Sequence, residues 1–389
     1  MDLSCDFAGR SNDGSIALQQ HTSNPASISQ SIGGVGHNVA RAAHLLGQGV
    51  QLCSAVGEDL AGKAVVEALS QHGMSDTGVE TLFPESKSAT AQYVAVNDGN
   101  KDLVMAMADM GILEQEAAIA SAFEKSWRTQ LENAKPTQLV VDGNWSPSHL
   151  ARWVTAAQSC EAHITFEPVS VAKSTKLFQS SSLELSAFPN HKIHLATPNS
   201  YELSAMYQAA KAQGYFDRAD WWATIDGLGI PSTGARTKLA LATTPQLVDQ
   251  GIPQQAIQLL PFIPSIATKL GSEGVLLTQL LPANDPRLSS GDYAPYILSH
   301  GLDTEGPVGG VYMRLFPAVE QVPETEIVSV NGVGDTFAGT LVAGLAKRKS
   351  QGREARVEDL VDVAQSAALL TLKSKESVSP EIGTLKDLL

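Results

Sequence analysis

The chain has 389 residues, 43% hydrophobic and 17% charged, which is the composition of a folded globular protein with a substantial core and not of a disordered or collagenous one. Its 27 Lys and Arg against 41 Asp and Glu give a net charge of -14, and no basic run follows a phosphate backbone, which argues against nucleic acid as a partner. Cys5, Cys53 and Cys160 lack metal-ligand spacing, no apolar run reaches membrane-spanning length and no cleavable signal opens the chain, so neither a zinc site, a disulfide framework nor a membrane partner is expected, and the cytoplasm is the expected compartment.

In chain order, residues 1–7 read as the tail of a strand, and 11–31, rich in Ser, Asn, Gly and Gln, as hairpin turns. Val39, Ala42, Ala43 and Leu46 predict a helix over 38–46 that Gly47 and Gly49 end. A strand over 51–56 follows, then a helix over 62–72 carrying Val65, Val66 and Leu69. Segments 91–96 and 103–108 flank Asn97-Asp98-Gly99-Asn100, a hairpin signal, and predict a small flap. Short apolar runs at 138–141, 163–166, 193–196, 266–269 and 275–278 alternate with helical stretches, which predicts a layered α/β core. Stretches 227–264 and 282–309 are rich in Pro, Gly, Gln and Ser with weak periodicity and read as surface insertions. No repeat or compositional break divides 1–389, so a single domain is expected.

Two glycine-rich turns lead into helices. In Val330-Asn331-Gly332-Val333-Gly334-Asp335-Thr336-Phe337, the glycines permit a tight turn, and the free amides of the first helical turn suit an anion. Asp335 would repel a phosphate bound there unless it takes a proton. A carboxylate beside a γ-phosphate can accept the proton of an attacking hydroxyl, a role worth roughly 10²- to 10⁴-fold in rate. An N-cap Asp after a glycine turn is the alternative. The second turn, 31–40, fits neither GxGxxG nor the Walker pattern, and a tight turn capped by Asn38 accounts for it equally well. Asp142 and Asn144 end the 138–141 strand, where ligands gather on parallel sheets.

Gly33-Gly34-Val35-Gly36-His37-Asn38 and Asn331-Gly332-Val333-Gly334-Asp335-Thr336-Phe337 resemble, in order and separation, the two signatures of the ribokinase-like (PfkB) carbohydrate kinases. Thr197-Pro198-Asn199-Ser200-Tyr201-Glu202 resembles that family's Asn-x-x-Glu motif, and Thr268-Lys269-Leu270-Gly271-Ser272-Glu273-Gly274 its nucleotide-side strand and turn. Within the family the likeness is closest to pseudouridine kinases, through 33–38, Phe166-Glu167-Pro168-Val169-Ser170-Val171-Ala172-Lys173 and 374–380.

The resemblance implies a three-layer α/β/α core with a mainly parallel central sheet and a small β lid, with lid strands within 7–32 and 88–108. It also implies a strand ahead of Asp2 inside the sheet, so the first strand is expected to be truncated. The implied activity is ATP-dependent phosphorylation of the 5'-hydroxyl of pseudouridine. The alternatives are a kinase for another nucleoside or a free sugar such as ribose, and a non-catalytic nucleotide or sugar sensor.

By the same resemblance Asp335 is the catalytic base, and Gly332, Val333 and Gly334 form the anion hole. Asp2, Gly33, Gly34, Asn38 and Asp142 bind the substrate. Asn199, Glu202, Thr268, Gly271 and Gly274 bind the nucleotide, with Asn199 and Glu202 organising Mg²⁺ through water. A helix start capped by Asn199, and an ordinary strand and turn at 268–274, stay open as alternatives. ATP, Mg²⁺ and a monovalent cation such as K⁺ are the implied cofactors. A homodimer, and a pseudouridine-5'-phosphate glycosidase unit fused ahead of residue 1, are the implied associations. Lys173 and Arg314 read as solvated surface within reach of phosphate, His37 reads as a packed residue, and the flap reads as a cover that keeps water from the sugar.

Overall fold

The computed structural model describes residues 1–7, 21–82, 89–98, 103–179, 182–230, 233–303 and 305–389. Six strands, β1 (Asp2–Phe7), β2 (Ala26–Ser31), β3 (Ser54–Gly57), β4 (Val79–Leu82), β5 (Gln92–Asn97) and β6 (Leu103–Asp109), build two small sheets. The lid has the order β2-β1-β5-β6, with β1 antiparallel to β2 and parallel to β5. β3 and β4 pair in parallel beside it.

Residues 1–7 are therefore a lid strand and not the tail of a central one. The cause lies in the sequence: Asp2, Ser4 and Asp6 alternate with Leu3 and Cys5, the pattern of a half-exposed strand, whereas a central parallel strand is apolar throughout. The expected hairpin turns at 11–20, and residues 88 and 99–102 of the flap, lie outside the described residues.

The main sheet is built from β7 (Gln138–Asp142), β8 (His163–Glu167), β9 (Leu195–Ala196), β10 (Ser265–Lys269), β11 (Val275–Pro282), β12 (Ile297–His300) and β13 (Val308–Phe316). Its order is β12-β13-β11-β10-β9-β8-β7; β7 to β10 run parallel and the other three add antiparallel. Ile164, Phe166, Ala196 and Ile266 are fully buried, as parallel strands covered on both faces require. Helices Pro147–Ser159, Ser200–Ala212 and Ile252–Leu259 cover one face, and helices Val35–Leu45, Val333–Ser350 and Val361–Leu372 the other, which completes three layers. β7 ends the sheet, and its outer edge borders an apolar groove of about 270 Å³ walled by Leu52, Leu139, Val141, Trp145 and Val342.

The stretch 227–264 lies partly in the core and not only on the surface. It folds into helices Ala235–Ala242, Pro245–Asp249 and Ile252–Leu259, and Leu239, Leu247, Ala256 and Leu259 join the main core. Pro245 and Pro253 sit in first helical turns and Gly251, at φ 77°, caps a helix, so residues that read as loop composition are helix starts. The stretch 282–309 likewise carries the edge strand β12, and its Arg287 is buried against Asp285, Gln279 and Glu358.

One helix crossing positions the site. At Gly339 a Cβ would lie 2.6 Å from the Val39 carbonyl oxygen, so the Val333–Ser350 and Val35–Leu45 helices meet backbone to side-chain-free backbone. Among the described residues no helix is long and apolar enough to cross a membrane.

Candidate active site

The Val333–Ser350 helix starts on Gly332, which has φ 73°, and a Cβ there would lie 1.8 Å from the Ser377 carbonyl oxygen. Both facts demand glycine. The helix has no side-chain cap, so Asp335, in its first turn, is not the N-cap of the alternative reading. Instead the carboxylate lines a cleft of about 380 Å³ together with Asp2, Gly33, Asn38 and Asp142. The amides of Val333, Gly334 and Asp335 belong to the turn that the helical ladder leaves without acceptors.

Asn38 reaches Asp335 from the other helix. Gly34, at φ 98°, is the N-cap of Val35–Leu45, so Asn38 lies inside that helix and does not cap it. Its Nδ2 donates to Asp335 Oδ2 at 2.8 Å. Burial raises the Asp335 carboxyl to about 7, with the neighbouring Glu167 adding to the rise and Asn38 and Lys269 opposing it. Such a value suits a general base working near neutrality. Burial also raises the carboxyls of Asp2 and Asp142. Asp2 packs so tightly on Gly33 that a Cβ there would lie 1.7 Å from its Oδ2. His37 is buried, with Nδ1 at 3.3 Å from Asn38 Oδ1.

On the opposite side of Asp335 stand the ends of β8 and β10 and the start of the Ser200–Ala212 helix. Asn199 and Glu202 form a reciprocal cap: Glu202 N donates to Asn199 Oδ1 at 2.9 Å, and Asn199 N to Glu202 Oε2 at 2.8 Å. The capped helix start left open by the sequence is realised. Glu202 is buried, which raises its carboxyl against the pull of Lys269. Lys269 Nζ lies 3.2 Å and 3.3 Å from the two Glu167 oxygens, and Thr197 Oγ1 donates to Glu167 Oε2. Glu167, Thr197 and Lys269 were not among the expected site residues. Their signal was a shared position at the carboxyl end of an expected strand.

Among the described residues no group of three or more His, Cys, Asp or Glu could hold a metal ion. Asn199 and Glu202 place two side-chain oxygen donors at this helix start, a donor set of the kind a hydrated Mg²⁺ takes. Of the other residues expected on the nucleotide side, Thr268 is fully buried with its hydroxyl unpartnered. Gly274, at φ 96°, is packed 2.0 Å from the Phe316 carbonyl oxygen as measured to an added Cβ, while Gly271, at φ 62°, faces open space. Lys173 Nζ donates to Asn144 Oδ1 at 2.6 Å and lines the cleft, so it is not plain surface. Arg314 lies over the rings of Tyr296 and Phe316, at 4.5 Å and 4.2 Å.

Residues 5–226 and 316–382 match the pfkB family of carbohydrate kinases. The pseudouridine-metabolizing bifunctional protein of Schizosaccharomyces pombe is 33% identical over 368 residues, which cover 94% of this chain and 44% of that protein. The pseudouridine kinase of Escherichia coli is 28% identical over 211 residues, 54% of this chain and 63% of that one. The chain thus spans less than two thirds of either relative. A ribokinase structure from Giardia lamblia, 14% identical, superposes with a TM-score of 0.56 over 100% of this chain and 96% of that one, a likeness of fold.

Proposed function

The chain belongs to the pfkB family of carbohydrate kinases, and on that premise we propose that it transfers the terminal phosphoryl group of ATP to the 5'-hydroxyl of pseudouridine. The observation that carries the reading is Asp335: a carboxylate raised to about 7, facing the cleft from the first turn of a helix whose amides are free for an anion.

Asn38 holds Oδ2, which leaves Oδ1 to take the proton. The acceptor oxygen attacks the γ-phosphorus, the bond from that phosphorus to the bridging oxygen breaks, and its electron pair leaves with ADP. The acceptor's proton passes to Asp335. The amides of Val333 to Asp335 offset the charge on the transferring group. Mg²⁺, held through water by Asn199 and Glu202, supplies further charge neutralisation on the phosphates when bound.

The nucleoside assignment draws support from the names of the two relatives, and the cleft of about 380 Å³ lined by Asp2, Asn38, Asn144, Trp145, Val169 and Lys173 is consistent with it. A cytoplasmic location and a joined pseudouridine-5'-phosphate glycosidase unit belong to the same proposal. The 44% span on a relative named as bifunctional supports the second of these.

Turnover measured side by side on pseudouridine, uridine, adenosine and ribose tests the assignment. The highest kcat/KM is expected on pseudouridine. A higher value on another acceptor would move the assignment to that acceptor, and nucleotide binding without ADP on any of them would indicate a sensor. Asp335→Asn is expected to lower kcat by roughly 10²- to 10⁴-fold while ATP still binds. Near-normal turnover in this variant would remove Asp335 as the base.

A further inference from the structure

We propose that His37 is a positioning residue: its Nδ1–H holds the oxygen of the Asn38 amide and so turns the nitrogen of that amide onto Asp335. This rests on the kinase reading above and adds to it the residue that keeps the partner of the base facing the right way.

Asn38 has two ends of nearly equal size, and only one of them serves an ionised carboxylate. Its Nδ2 donates to Asp335 Oδ2 at 2.8 Å, and its Oδ1 lies 3.3 Å from His37 Nδ1. Turned end for end, the amide would set its oxygen against the carboxylate and its nitrogen against the imidazole. The second contact is unfavourable only when Nδ1 carries a proton, so the tautomer of His37 decides whether the wrong orientation is penalised twice.

The surroundings of His37 leave a neutral ring with one proton to place. It is 6% exposed, and burial lowers it to about 4. Arg41 on its own helix, His72 at the end of the Leu60–Gln71 helix and the amine of Met1 press the same way, and Asn38 alone favours the charged ring. Among the described residues Asn38 is the ring's one hydrogen-bond partner, and Nε2 is buried with none. A proton on Nδ1 therefore makes a hydrogen bond, whereas a proton on Nε2 would be stranded in the interior. A phenyl ring would fill the same volume without an orphaned nitrogen, so packing alone does not account for a histidine here. His37, Asn38 and Asp335 all line the cleft, an imidazole, an amide and a carboxylate in series. Glu167 and Asp142, from the ends of β8 and β7, and Lys269, from β10, also act on Asp335, and the test leaves all three in place.

That test reads the Asp335 carboxyl directly, by carbon NMR of protein labelled in its aspartate carboxyls, the signal being assigned by its loss in Asp335→Asn. The acid limb of the kcat profile is recorded alongside. His37→Phe, Asn38→Leu and the double variant His37→Phe/Asn38→Leu are compared with the wild type. His37→Phe keeps a ring and loses the donor, and its Asp335 midpoint and kcat limb are expected to move up by about one pH unit. The double variant is expected to shift no further than Asn38→Leu alone, since both changes remove one and the same interaction. An unshifted midpoint in folded His37→Phe, or shifts that add in the double variant, would overturn the proposal. Should His37→Phe not fold, nitrogen NMR of the wild-type imidazole decides: a proton on Nδ1 near neutral pH supports the proposal, and one on Nε2 overturns it. If the wild type turns over no acceptor, the kinase reading fails by itself, and the Asp335 midpoint and the His37 tautomer still decide whether His37 orients Asn38.

Discussion

If Asp335 is the base proposed above, the same burial that tunes its carboxyl for chemistry costs stability. The carboxyl must be ionised to take a proton, and with a pKa of about 7 it is half protonated at neutrality, so kcat is expected to fall about tenfold per pH unit below that value. Asn38 donates to the ionised form, and Asn38→Leu should move the acid limb of the kcat profile to higher pH. A profile in which the limb stays in place would show that Asn38 does not tune the base. Stability carries the opposite sign. The folded carboxyl lies above its ordinary value of 3.8, so its contribution to folding is intact below about 3.8 and is lost as pH rises through about 7. Asp335→Asn should therefore raise Tm more at pH 8 than at pH 5, which paired melting curves would reveal.

At the scale of elements, the Asn38–Asp335 contact depends on how closely two helices cross. Gly339→Ala would place a methyl 2.6 Å from the Val39 carbonyl oxygen and force the Val35–Leu45 and Val333–Ser350 helices apart. The expected cost is about 1–3 kcal/mol, read by denaturant unfolding, together with the same shift of the kcat limb as in Asn38→Leu. Wild-type stability and an unshifted limb would show that the crossing tolerates the methyl. A second pH effect sits at the opposite end of the sheet. His163 opens β8 and His194 precedes β9, with ring centroids 4.5 Å apart. Burial, reinforced by neighbouring histidines, lowers them to about 3 and about 4. Both are folded as neutral rings, so their contribution is whole above the ordinary value of 6.5 and drains away as pH falls toward 4. The urea midpoint should drop between pH 7 and pH 5, and by less in His163→Phe. An equal drop in both proteins would assign the acid sensitivity elsewhere.

For the whole molecule, the lid and the main sheet close on one cleft, to which Tyr93 and Ala108 contribute from the lid and Asp142 and Asp335 from the core. Within the lid, Asn97 Nδ2 ties β5 to β1 through Asp6 Oδ1 at 2.8 Å and Ser4 Oγ at 3.1 Å. If the lid excludes water from the transferring phosphate, Asn97→Ala should raise ADP formation without acceptor relative to turnover with it; an unchanged ratio would deny the lid that role. The layered α/β class, strands near 91–96 and 103–108, the two glycine turns that open helices and the carboxylate at 335 are all legible in local sequence. Spacing and local backbone demand are written within a few neighbouring residues, and those features need nothing more. Folding alone brings residues 1–7 into the lid, packs helices of the Pro- and Gly-rich 227–264 into the core, and gathers Asn38, Glu167 and Lys269 around Asp335. Those outcomes depend on partners far along the chain, 297 residues apart for Asn38 and Asp335 and 102 for Lys269 and Glu167, and no short pattern specifies which distant surfaces will bury one another.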